Sequence, residues 1–133
     1  MATLHVIDTH TLVWFLGNDP RLGPNADVIL QNPASVLILP ATALAETCWI
    51  VQRGRVPLSI ANVLAVIDSD PRIVVYPLDR CVIERSNGLT TIGEMHDRQI
   101  VATALVLFDD GETVDLLTAD ANITASGVIT VVW

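Results

Sequence analysis

The chain has 133 residues, is 51% hydrophobic, and carries 15 acidic against seven basic residues for a formal net charge of −8. That is the size of one domain, with apolar mass enough for a core that needs no disulfide staple. All seven basic residues are Arg; the absence of Lys excludes a Walker A phosphate loop, a Schiff-base enzyme and a phospho-receiver domain, and the acidic balance opposes long-range attraction to nucleic acid. Taken in chain order, Leu4–Ile7 reads as a β-branched strand that ends at Asp8, followed by a short apolar segment, Thr9–Leu16, that Gly17-Asn18-Asp19-Pro20 breaks. Residues 25–30 suggest a small helix, and 36–39 a buried strand stopped by Pro40. Ala41–Gln52 has helical periodicity, with Ala41, Leu44, Ala45, Cys48 and Gln52 on one face and Trp49 beside it, up to Gly54. A further helix over 57–70 has Ile60, Val63, Leu64 and Ile67 as its stripe, and Ile73–Tyr76 is a third strand, ended by Pro77. Residues 79–89 are helical, and 97–108 form the clearest helix, with Ile100, Val101, Ala104, Leu105 and Phe108 along one face. Val114–Leu117 is a fourth strand, 120–126 a short helix and 129–132 a fifth strand.

Continuously apolar strands separated by helices predict a parallel sheet covered on both faces, an α/β/α sandwich. No linker, repeat or low-complexity tract interrupts residues 1–133, which predicts one domain. Cys48 and Cys81 lack metal-site or redox spacing and read as two buried thiols of a reducing compartment. The N-terminal stretch lacks a basic region and contains Asp8, unlike a signal peptide, and no run approaches the ~20 apolar residues of a membrane helix. These features predict a soluble cytosolic protein.

Crevices of open parallel sheets lie outside the carboxyl ends of the strands. Four carboxylates are predicted there: Asp8 after strand one, Glu46 in the helix after strand two, Asp97 opening the best helix on its apolar stripe, and Asp120 after strand four. Taken singly, the three Asp residues read as helix caps. Glu46 does not, being more than a turn into its helix with no basic neighbour before Arg53. Gathered together without Lys, four carboxylates repel one another and raise each other's pKa values, a conflict that Mg²⁺ or Mn²⁺ resolves with hard oxygen ligands in an open, partly hydrated site. One or two such ions suit hydrolysis of a phosphodiester.

At these residues the chain resembles the PIN domain, and within it the VapC-type ribonuclease toxins of toxin–antitoxin pairs. The resemblance is carried by Val6-Ile7-Asp8-Thr9-His10-Thr11-Leu12-Val13-Trp14, by Ala43-Leu44-Ala45-Glu46, by Asp97-Arg98-Gln99-Ile100-Val101-Ala102-Thr103-Ala104-Leu105, by Leu117-Thr118-Ala119-Asp120 and by the terminal Val132-Trp133, in family order and at family-like intervals. It implies a PIN-like fold with a five-stranded parallel sheet and Mg²⁺-dependent endoribonuclease activity. It further implies dimerisation and neutralisation by a cognate antitoxin. Asp8, Glu46, Asp97 and Asp120 are then the acidic quartet, with Asp8 and Asp97 as core metal ligands. Thr9 and Thr118 match small hydroxyl positions that support metal or water, or else bond locally in turns. Asn122 reads as part of the last short helix, and His10 and His96 receive no catalytic role. Arg53 and Arg55 read as solvated surface, and Arg98 as a phosphate contact or the ion-pair partner of a nearby acid. Apolar surface that includes Trp14, Phe15, Trp49 and Val51 is divided among core, an antitoxin groove and a dimer face. The absence of Lys and of an Asp two residues after Asp8 sets aside a haloacid-dehalogenase-like phosphatase. The alternative to a nuclease is a PIN-like metal-binding module with a regulatory or binding role and no catalysis.

Overall fold

A computed structural model of the chain describes residues 2–133. Five parallel strands, β1 (Leu4–Ile7), β2 (Val36–Pro40), β3 (Ile73–Tyr76), β4 (Val114–Leu117) and β5 (Val131–Val132), lie in the order β3-β2-β1-β4-β5. Around them run seven helices among the described residues: α1 (Thr9–Leu16), α2 (Pro24–Gln31), α3 (Ala41–Gln52), α4 (Ile60–Ser69), α5 (Arg80–Asn87), α6 (Met95–Asp109) and α7 (Ala121–Ser126). The fold is the expected α/β class, a PIN-like sandwich with an all-parallel five-stranded sheet. Strand β1 is central, pairing Leu4 with both Val36 and Val114, and its Val6 and Ile7 are buried. The chain moves outward from β1 through β2 to β3, then returns to the other side of β1 for β4. This reversal leaves a crevice at the carboxyl ends of β1 and β4, where such sheets bind ligands.

Helix α6 is the spine of the core. All eight residues from Ile100 to Leu107 are buried, as befits a helix packed against α5, α3 and the sheet and left with almost no solvent face. Phe108, expected on its inner stripe, is instead 56% exposed, because the helix emerges from the core in its last turn. Helix α3 keeps the expected bounds but not the expected face. Its buried positions are Thr42, Ala43, Thr47 and Val51, whereas Ala45, Trp49 and Gln52 are exposed. Its threonines can occupy the interior because their hydroxyls are satisfied there: Thr47 Oγ1 donates to the Ala43 carbonyl (2.8 Å) and Thr42 Oγ1 to Gln99 Oε1 (2.8 Å). Apolar character therefore misidentified which side of α3 packs.

Boundaries shift where caps decide them. Helix α4 starts at Ile60 and not at residue 57, because Ser59 and Asn62 form a capping box. Helix α6 starts two residues early, at Met95, because the Glu94 carboxylate accepts from the Asp97 amide (2.8 Å). Strand β5 is only two residues long. Both cysteines are free; Cys48 is half-buried and Cys81 exposed, so neither is the buried thiol expected. No helix among the described residues is long and apolar enough to cross a membrane.

Candidate functional site

Strand ends deliver the first two carboxylates. β1 stops at Asp8, which caps α1 by accepting from the Thr11 amide (2.9 Å). The Thr11 hydroxyl, wholly buried, lies 2.6 Å from Asp8 Oδ1 and 2.7 Å from the Leu117 carbonyl of β4, tying the two strand ends together. β4 runs out at Thr118, whose buried hydroxyl accepts from the Asp120 amide (3.0 Å), and Asp120 in turn caps α7 by accepting from the Ile123 amide (2.9 Å). Both Asp residues thus cap helices, and each uses one carboxylate oxygen to do so, Oδ1 in both cases. Thr118 bonds locally in its turn, one of the two readings its position allowed.

Helices deliver the other two. Glu46, in the second turn of α3, accepts the Thr9 hydroxyl at Oε1 (2.6 Å), while His96 Nδ1 lies 3.3 Å from its Oε2 and 3.1 Å from Glu94 Oε1. Asp97 is no cap, because Glu94 takes that role and Asp97 sits within the first turn of α6. Among the described residues nothing donates to its carboxylate. Burial, and then the negative charges of Asp120, Glu94, Glu46 and Asp8, push its pKa from 3.8 up to about 6.

Asp8, Glu46, Asp97 and Asp120 all line one cavity of about 360 Å³, walled also by Thr9, His10, Trp14, Ile50, Ile100 and Ala119. Asn122 does not line it. None of the seven Arg residues pairs with the four acids. Arg21, Arg72, Arg80 and Arg85 bind other carboxylates, and Arg53 lies over the Trp49 ring at 4.7 Å. The Arg98 guanidinium donates to the Ile92 carbonyl, so its expected pairing with an acid is not formed. The negative charge of the cavity is therefore uncompensated by any Arg.

The donor set fits a hard divalent cation: carboxylate oxygens that repel one another, hydroxyls that orient them, and no thiolate. Among the described residues no three His, Cys, Asp or Glu side chains are gathered closely enough to ligate one ion as they stand. Asp8, Glu46 and Asp120 are each drawn toward hydrogen-bond donors of the fold.

Sequence reasoning missed Glu94 and discounted His96, which together flank Glu46 and Asp97. Glu is a poor N-cap type, so no local pattern marked Glu94 as the cap of α6. The His10 ring is tilted against Trp14 (centroids 5.4 Å apart), and both line the acidic cavity; Trp14 also meets Trp133 (5.7 Å) and the Arg21 guanidinium (5.0 Å). Trp133 is seated by Gly23, where an added Cβ would lie 2.6 Å from its carbonyl carbon.

No family model and no curated protein sequence matches the chain. Its structure is similar to that of VapC20 of Mycobacterium tuberculosis, a sarcin-ricin loop cleaving toxin, with a TM-score of 0.69 at 15% identity over 92% of this chain and 95% of that one. A toxin–antitoxin complex from Klebsiella pneumoniae contains a chain with a TM-score of 0.69 at 17% identity, covering 97% of this chain and 96% of its own length. VapBC2 of Rickettsia felis, bound to a DNA fragment from its promoter, gives a TM-score of 0.68 at 14% identity, covering 97% of both chains. At these identities the likeness shows the fold, that of the VapC toxins.

Proposed function

We propose that this protein is a Mg²⁺-dependent endoribonuclease toxin, with Mn²⁺ able to substitute, that hydrolyses RNA phosphodiester bonds and is neutralised by a cognate antitoxin. One observation carries the reading: four carboxylates, unpaired with any Arg, line a single cavity at the switch point of a VapC-like fold. Neighbours of that fold include a sarcin-ricin loop cleaving toxin and toxin–antitoxin complexes, which supports an antitoxin partner here, and homodimerisation belongs to the same reading.

Asp8 and Asp97 would hold the principal ion, with Glu46 and Asp120 completing the site. A bound divalent cation supplies Lewis acidity toward the phosphodiester and offsets charge growing on its phosphoryl oxygens. The chain's own contribution is positional. The Thr9 hydroxyl holds Glu46 by Oε1, and the Thr11 amide and hydroxyl hold Asp8 by Oδ1, so each carboxylate is fixed through one oxygen, while Glu46 Oε2 lies 3.3 Å from His96 Nδ1. Asp97, which no donor satisfies, is the carboxylate whose charge gains most from a cation. Asp120, the N-cap of α7, brings the fourth carboxylate to the same cavity.

The test is cleavage of total cellular RNA with Mg²⁺ present. Asp8→Asn and Asp97→Asn should each lower the rate by at least about a hundredfold while circular dichroism stays unchanged. Full activity in either variant would remove the metal-site reading. Metal binding by a wild type that cleaves no RNA would leave the regulatory module in its place.

A further inference from the structure

Glu46 faces two cavities. Besides the acidic one, it borders a groove of about 840 Å³ between α3 and the start of α6, built from Ala45, Trp49, Leu78 and Met95 with His96 and Gln99 as polar edges. Trp49 is 59% exposed and Met95 61% exposed, and Leu78 of the same groove is also exposed. The Arg53 guanidinium lies 4.7 Å from the centre of the Trp49 ring. Gln99 Oε1 already accepts the Thr42 hydroxyl, which leaves its NH₂ group to donate to a ligand.

We propose that this groove is a base-stacking subsite, in which an unpaired nucleotide beside the scissile phosphate lays its base on Trp49. The proposal rests on the ribonuclease reading and names how that substrate is held. Three observations favour a nucleobase. The groove is continuous with the acidic cavity through Glu46, so a strand whose phosphate meets the acids has a neighbouring base within reach. Four of the seven Arg residues are committed to carboxylates and a fifth to a backbone carbonyl, in a chain of net charge −8, so stacking has to supply binding that phosphate contacts do not. The amide and imidazole edges, with a guanidinium already against the indole, suit a planar, hydrogen-bonding ligand better than an aliphatic helix face.

The experiment measures fluorescence anisotropy of labelled single-stranded oligoribonucleotides, one for each homopolymer, on metal-free protein so that nothing is cut. Trp49→Leu should weaken binding about tenfold and Trp49→Phe should restore most of it. An abasic nucleotide walked along the oligomer should weaken the wild type about tenfold at one position and leave Trp49→Leu indifferent at that position. The proposal is overturned if Trp49→Leu binds like the wild type, or if the abasic loss is undiminished in the variant. It is equally overturned if sedimentation shows that Trp49→Leu splits a dimer into monomers, because the groove is then an interface between copies of the chain. A wild type that binds through Trp49 but cuts no RNA sinks the ribonuclease reading and keeps the subsite. Cleavage with no dependence on Trp49 does the reverse.

Discussion

At the amino ends of the strands, Asp70 and Arg72 flank the entry to β3 as a closed pair: Nε donates to Oδ1 (3.0 Å) and Nη2 to Oδ2 (2.9 Å). The same guanidinium donates through Nη1 to the Leu30 and Asn32 carbonyls, which ends α2 with its backbone satisfied. The Arg72 hydrogen bonds hold the Asp70 carboxyl below the usual carboxylate range. At the carboxyl ends the opposite arrangement holds: Asp97 has no cationic Arg and no donor, and its pKa is pushed up to about 6. One end of the sheet uses a carboxylate to stabilise the fold; the other keeps carboxylates whose charge the fold does not balance. Uncompensated charge of this kind marks a functional site more often than a structural one.

The largest expected contrast between the two ends is in metal affinity. Calorimetric titration with Mn²⁺ should show binding weakened at least about a hundredfold by Asp8→Asn and unchanged by Asp70→Asn. Equal effects from the two variants would erase the distinction between the ends. Next comes Arg72→Ala, which leaves Asp70 half-buried and unpaired and opens two carbonyls at the end of α2. It should cost about 2–3 kcal/mol, read as a lower urea midpoint with the slope unchanged. A loss below about 0.5 kcal/mol would class this pair with ordinary surface ion pairs.

The contrast also shows what could be read from the sequence. Asp8 and Asp120 were legible because each directly follows an apolar strand, and parallel strands bring such ends to one edge. Asp97 was legible as lying on the core-facing stripe of α6, since 97, 100, 101 and 104 share a face whatever the cap. Its cap was not, because a Glu outside the preferred N-cap types took the position. The pairing of Thr9 with Glu46 spans 37 residues, and no local pattern announces it. The face of α3 was misread for a related reason: its threonines find partners within their own helix and in α6, and only tertiary packing reveals that these hydroxyls are satisfied. Arg72 was passed over altogether, since two of its four acceptors, the Leu30 and Asn32 carbonyls, lie some forty residues away in the chain.

The smallest effect has the opposite sign to that of Arg72→Ala. The folded-state pKa of Asp97, about 6, lies above the ordinary 3.8, so between those values the folded protein binds more protons than the unfolded chain. Stability of the metal-free protein must then fall as pH rises through that window, and the full penalty is present above it. With the carboxylate partly open to water, the penalty is about 1–2 kcal/mol, less than the bare shift suggests. Asp97→Asn removes it. In EDTA at about pH 8 the variant should melt roughly 3–8 °C above the wild type, and at about pH 4 the two should converge. Saturating Mg²⁺ should then raise the wild type more than the variant, because an ion that binds only the folded state stabilises it in proportion to its affinity. A variant that gains nothing at high pH would mean that Asp97 is already balanced, and the two ends of the sheet would no longer differ in kind.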